Sequence, residues 1–86
     1  MEISLVPQFR RQFKKLPEAL KKEAREKIEL FKDPQMHSLL HIHKLHGRLA
    51  DRWSFSVNYK FRIIFAWEKQ NESAVLIAIG GHALYD

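Results

Sequence analysis

The sequence predicts an α+β domain in which an N-terminal strand and a two-helix hairpin precede a three-stranded antiparallel meander, in the order β-α-α-β-β-β. Three patterns predict it. Apolar residues recur every three or four positions from Phe9 to Phe31, side-chain character alternates from Trp53 to Trp67, and Ala74 to Ile79 is almost wholly apolar. The first spacing is that of a helix with one buried face, the second that of a strand with one buried face, and the third that of a strand inside a sheet.

Glu2 to Val6, EISLV, is short and apolar and meets Pro7, so it reads as the first strand. Phe9, Phe13, Leu16, Leu20, Ala24, Ile28 and Phe31 then form one helical stripe, interrupted by Pro17. Proline lacks the helix donor and clashes with the preceding turn, yet it fits the first helical position. The stripe therefore divides into helices over about 7–15 and 17–32, closed by Asp33-Pro34. The next segment, QMHSLLHIHKLHG from Gln35 to Gly47, is either a short extended piece or a loop leading into the sheet.

The run WSFSVNYKFRIIFAW is too long for one strand. Its least apolar point, Asn58-Tyr59-Lys60, folds it into two strands over roughly 53–57 and 60–67, with an irregular turn because no Asn-Gly or Asp-Gly is present. Trp53, Phe55, Val57, Tyr59, Phe61, Ile63, Phe65 and Trp67 form its apolar face. The other face is mostly polar and carries Lys60 and Arg62. A polar turn over 69–73 leads to AVLIAI, an inner strand that Gly80-Gly81 ends.

Eighty-six residues make a single domain, 1–86, able to build one core without metal or disulfide. Cysteine is absent, which mildly favours a reducing compartment. No basic segment leads into an apolar run at the N-terminus, and no stretch approaches the ~20 apolar residues of a membrane span. A soluble cytoplasmic protein without a membrane role is expected. The net charge of +5 points to an anionic partner, nucleic acid before an acidic protein or a membrane surface. The outer helical face mixes Arg10, Arg11, Lys14 and Lys15 with further lysines and glutamates. It is either a solvated face or, over Arg10 to Lys15, a surface for the phosphates of a large nucleic acid.

Histidines 37, 41, 43 and 46 cluster, and His82 lies near the end. Imidazole is a common zinc ligand, but no cysteine or carboxylate accompanies the cluster and its spacing matches no strong zinc signature, so no metal or other cofactor is expected. A metal-free reading is available. Cleavage of RNA by its own 2′-hydroxyl needs a base, a cation on the crowded phosphate and an acid for the leaving 5′-oxygen. Histidine can serve as acid or base, and arginine supplies a permanent bidentate cation. Arg62, His82, Lys44, Arg48 and the histidines can meet on one face of such a sheet, and Tyr85 can stack on a base.

The element order, with Leu45-His46-Gly47, Trp53-Ser54, Arg62-Ile63-Ile64-Phe65 and Gly81-His82-Ala83-Leu84-Tyr85, resembles the RelE/ParE toxin superfamily. Its members are the small basic halves of toxin–antitoxin pairs. The resemblance implies a toxin whose RelE-like branch, with the YoeB and YafQ types, cuts messenger RNA in the ribosomal A site without metal. By position, Arg62 is similar to the arginine on the scissile phosphate and His82 to the C-terminal histidine that serves as general acid. Tyr85 resembles the terminal aromatic that orients the substrate, and His43 the YafQ-type histidine at the start of the meander, as base or phosphate contact. Lys44 and Arg48 fall where relatives carry basic residues, and Lys60, Arg10, Arg11, Lys14 and Lys15 are the further expected RNA contacts. The YoeB-type glutamate base has no counterpart, since Leu39 to Gly47 contains no acid, so the identity of the base stays open. Implied partners are an acidic, partly disordered antitoxin, the ribosome and its messenger, and operator DNA through the antitoxin complex. The alternatives are a ParE-like gyrase inhibitor and an inactive nucleic-acid-binding relative.

Overall fold

In the computed structural model, which describes residues 1–81 and Leu84, the helical stripe is the lid of the core. Strand β1 (Glu2–Leu5) is followed by helices α1 (Pro7–Lys14) and α2 (Glu18–Phe31). Phe9, Ala24 and Phe31 are buried, and Phe13, Leu16, Leu20 and Ile28 pack against the same cluster. Every residue of the stripe is thus in the core. Pro17 stands immediately before α2, where its fixed φ of −58° and missing N–H cost the helix nothing.

A 3₁₀ turn over Pro34–Leu39 leads to a two-residue strand, β2 (His43–Lys44), and the meander follows as β3 (Trp53–Ser56), β4 (Arg62–Lys69) and β5 (Ser73–Gly80). The segment before the meander, open in the sequence between strand and loop, is therefore both. The five strands form one sheet in the order β1-β5-β4-β3-β2. The meander is antiparallel, but β1 pairs parallel with β5, so the whole sheet is mixed. The two helices carry the chain from β1 to β2 at the opposite edge of the sheet, and the meander then returns to set β5 beside β1.

The hairpin turns where expected. Asn58 Oδ1 accepts from the backbone N–H groups of Lys60 and Phe61, both at 2.8 Å, and Asn58 Nδ2 donates to Glu23 Oε1 of α2 at 2.8 Å. This side-chain turn replaces the absent Asn-Gly chemistry, and the strands run over 53–56 and 62–69, the first one residue shorter than expected and the second shifted by two. Lys60 therefore belongs to the turn and not to a strand face.

Alternation holds over Phe55, Val57, Ile63 and Phe65, which pack with Phe31 and Phe9. It gives a misleading picture of the other face. Ile64 is 4% exposed and packs with Leu45 and Ala78, and Leu49, Ile77 and Leu84 lean on them. A bulge underlies this second cluster: Ile64 pairs with Ala78 but Phe65 with Leu76, leaving Ile77 as an extra residue in β5.

Beyond the four residues that β1 pairs, the outer edge of β5 is served by α1. Gln8 Nε2 donates to the Ile77 carbonyl at 3.2 Å, and the Ile79 N–H donates to Gln12 Oε1 at 2.9 Å. Gln12→Ala leaves the N–H of a 97% buried residue, Ile79, without its partner. It is expected to lower the unfolding free energy by about 1–3 kcal/mol, read as a shift of the urea midpoint at unchanged m-value.

Candidate functional site

Arg62 opens β4, and its neighbours across the sheet are Ser56 on β3 and Gly80 on β5. Leu84 lies against Gly80, where an added Cβ would come within 3.1 Å of its side chain, so the open space beside Arg62 is on the Ser56 side. A cavity of about 440 Å³ forms there, lined by Arg62, Ser56, Val57, Asn58, Tyr59, Leu39, His41 and Lys27. Arg62 Nη1 is buried and has no hydrogen-bond partner among the described residues. A guanidinium nitrogen withdrawn from water without an acceptor is unfavourable, and such a group is suited to a ligand that brings oxygen acceptors.

His41 reaches this cavity from the loop before β2. It has φ 51°, a left-handed conformation uncommon for a residue with a Cβ. His41 also lines a second cavity of about 350 Å³ with His37, Trp53 and Trp67, so it forms part of the wall of both. Lys27 comes from α2 and belongs to none of the ion pairs among the described residues, which join Lys21 to Glu18, Lys32 to Glu29 and Lys69 to Glu72. The cavity therefore gathers three basic side chains from three parts of the chain.

The other histidines differ in their surroundings. His37 Nε2 donates to the Phe31 carbonyl at 2.7 Å, closing the end of α2, and its ring stacks 5.2 Å from Phe31. His43 sits on β2 opposite Ser54. Its Nδ1 donates to the His41 carbonyl at 3.3 Å, and Ser54 Oγ lies 3.5 Å from its Nε2. Ser54 is fully buried, so its hydroxyl and the His43 ring fix one another. Among the described residues no three His, Asp or Glu side chains form a group able to hold a metal ion.

The residues expected from the sequence are not all in one place. His43, Lys44 and Arg48 are exposed along β2 and the 3₁₀ turn over Gly47–Leu49, outside the lining of the Arg62 cavity. Gly47, with φ 70°, makes the bend that starts this turn. Lys60 is exposed at the hairpin tip, its Nζ 5.6 Å from the centre of the Tyr59 ring. Arg10 and Lys14 border a different groove of about 490 Å³, with Arg25 and Lys32 as further basic residues and Ile3, Leu5, Phe9, Phe13 and Ile28 as its apolar part. Arg11 and Lys15 are exposed. His82 and Tyr85 lie outside the described residues. His41, Lys27 and Tyr59 were not singled out as site residues in the sequence. In the sequence His41 reads as one of several clustered histidines able to meet on the sheet face, Lys27 as one charge of a solvated helix, and Tyr59 as the middle of the hairpin turn.

No helix is long and apolar enough to cross a membrane. No family model and no curated protein matches the chain. Solved structures do match. YafQ from Escherichia coli superposes with a TM-score of 0.78 at 14% identity, over 98% of this chain and 96% of its own. A YoeB/ParE toxin from Agrobacterium tumefaciens gives 0.76 at 14%, over 95% and 99%. RelE, from the archaeal RelE–RelB complex of Pyrococcus horikoshii, gives 0.72 at 13%, over 93% and 92%. At such identities the likeness concerns the path of the chain, and it extends over nearly the full length of both partners in each pair. The chain has the fold of the RelE/ParE toxin superfamily.

Proposed function

We infer that this protein is the toxin of a toxin–antitoxin pair and acts in the cytoplasm as a ribosome-dependent, metal-independent endoribonuclease. The observation that carries the reading is Arg62: a residue that lines a basic cavity and has one buried guanidinium nitrogen without a partner among the described residues, in a RelE/ParE-type fold.

In this mechanism the messenger's 2′-hydroxyl attacks the adjacent phosphorus. The P–O5′ bond breaks, leaving a 2′,3′-cyclic phosphate and a 5′-hydroxyl. Arg62 holds the phosphate oxygens as their charge grows, and His82 gives the leaving 5′-oxygen its proton. Tyr85 stacks on a base, and His43 takes either the 2′-hydroxyl proton or a phosphate contact. Lys44, Arg48 and Lys60, with the basic residues of α1, Arg10, Arg11 and Lys14, and Lys15 just beyond it, face the ribosomal RNA and the messenger. Positioning by the ribosome supplies much of the rate, so free RNA is cut poorly.

The antitoxin is acidic and partly disordered, and folds on binding. The groove bordered by Arg10, Lys14, Arg25 and Lys32 suits it, since its apolar part accepts an amphipathic segment and its cations accept carboxylates. Operator DNA is bound through that complex.

The test is a purified translation mixture containing a programmed ribosome and excess chelator. Cleavage of the A-site codon with cyclic-phosphate ends, and little cleavage of the same messenger without ribosomes, is expected. Intact messenger under those conditions, with gyrase supercoiling inhibited instead, would replace the reading with the ParE-like one.

A further inference from the structure

Tyr59 is 89% exposed, the most open of the large hydrophobic side chains among the described residues. Its ring contributes almost nothing to the core. It stands at the rim of the same cavity that Lys27, His41 and Arg62 line, so three basic residues and one exposed aromatic border a single space of about 440 Å³.

We propose that this cavity is a nucleotide subsite, in which Lys27 and His41 join Arg62 on a backbone phosphate and Tyr59 stacks on the attached base. It rests on the endoribonuclease reading for its biological ligand, but its chemistry stands on the residues alone. A phosphodiester brings oxygen acceptors for the cations that line the cavity, and a nucleobase brings the flat face that an exposed tyrosine can cover. Lys60, 5.6 Å from the Tyr59 ring, adds positive charge at the same rim.

The geometry of the surroundings supports this use. Glu23, one turn before Lys27 on α2, accepts a hydrogen bond from Asn58 at 2.8 Å, so the acid closest along that face is tied to the hairpin. The same bond and the Asn58 turn hold Tyr59 beside α2. His41 keeps a left-handed backbone, and its carbonyl is fixed by His43. A strained conformation maintained at the wall of a basic cavity is the kind of feature that a binding role accounts for.

The test uses a 2′-O-methyl tetranucleotide, which lacks the attacking hydroxyl and cannot be cut, and inorganic phosphate as a probe without a base. Binding to the full chain is followed by fluorescence anisotropy for the first and by backbone amide resonances for both. Tyr59→Ala is expected to weaken the tetranucleotide about tenfold and to leave phosphate unchanged, while Tyr59→Phe restores it. Lys27→Ala is expected to weaken both probes and to reduce the slope of log affinity against log salt by about 0.7, with Lys27→Arg retaining most of the binding. His41→Gly, which accepts the left-handed backbone, is expected to weaken both probes. Tetranucleotide binding by Tyr59→Ala and Lys27→Ala equal to wild type, or no tetranucleotide binding to the wild type, would overturn the subsite. Cleavage of ribosome-bound messenger separates the two levels. Intact messenger with probe binding lost in the variants removes the nuclease reading and leaves the subsite standing. Messenger cut by a protein whose probe binding ignores Tyr59 and Lys27 removes only the subsite.

Discussion

Arg62→Met is expected to lower messenger cleavage by at least about 10²–10³-fold, the usual cost of removing a donor aimed at developing negative charge, without lowering stability. Both parts follow from the same atom. Nη1 of Arg62 is buried and unpartnered among the described residues, which disfavours the folded state. Methionine keeps an aliphatic stem and removes the charge, and replacing an uncompensated buried polar group with an apolar one of similar reach is neutral or stabilising. The thermal midpoint of the variant is expected to equal or exceed that of wild type, while growth arrest on induction disappears. A variant that melts earlier and still cuts would mean that the arginine is structural. Loss of function with retained stability is the pattern of a site whose strain is kept for use.

Phe31→Ala is expected to have the largest effect on folding. Phe31 is fully buried. Its ring lies 4.5 Å from Phe55 and 4.6 Å from Phe65, the first stacked and the second edge-on, with Trp67 at 5.8 Å and His37 at 5.2 Å. Truncating a core phenylalanine costs about 3–5 kcal/mol, a large share of the ~5–15 kcal/mol that holds a domain together. For a chain of this size the thermal midpoint should fall by about 12 °C or more. The effect reaches the site, because the Phe31 ring and carbonyl support His37, and the segment from Pro34 carries His41 into the cavity. Calorimetry checks the first part. A midpoint lowered by only a degree or two would contradict the central place given to this ring.

Much of the fold is readable in local patterns. The Phe9-to-Phe31 stripe, the break at Pro17, the turn at Asn58 and the inner strand Ala74 to Ile79 each follow from spacing and backbone chemistry within a few residues. Features set by pairing at a distance are not readable that way. The parallel union of β1 with β5 joins residues about seventy positions apart, and periodicity says nothing about which edge a strand joins. Likewise the extra residue Ile77 shifts the register of β5 so that Leu76 pairs with Phe65, and Ile64 is covered by Leu45 from a distant segment instead of facing water.

The site divides in the same way. Arg62 stands out in sequence as one of two cations, with Lys60, in the aromatic-rich run from Trp53 to Trp67. Lys27 and His41 do not, because one is a helix charge among many and the other is one histidine of a cluster. What distinguishes them is the fold, which carries α2 past the hairpin and bends the chain at His41 through a positive φ. Tyr59 alternates with the core aromatics, yet the Asn58 turn takes it out of the strand and into solvent.

The measurement that bears most directly on the account is a map of messenger 5′ ends after brief induction, comparing wild type with Arg62→Met and His82→Ala. New ends at fixed positions within codons, confined to translated frames and absent from both variants, are the predicted result. Messages intact in growth-arrested cells, or the same cuts made by both variants, would contradict it.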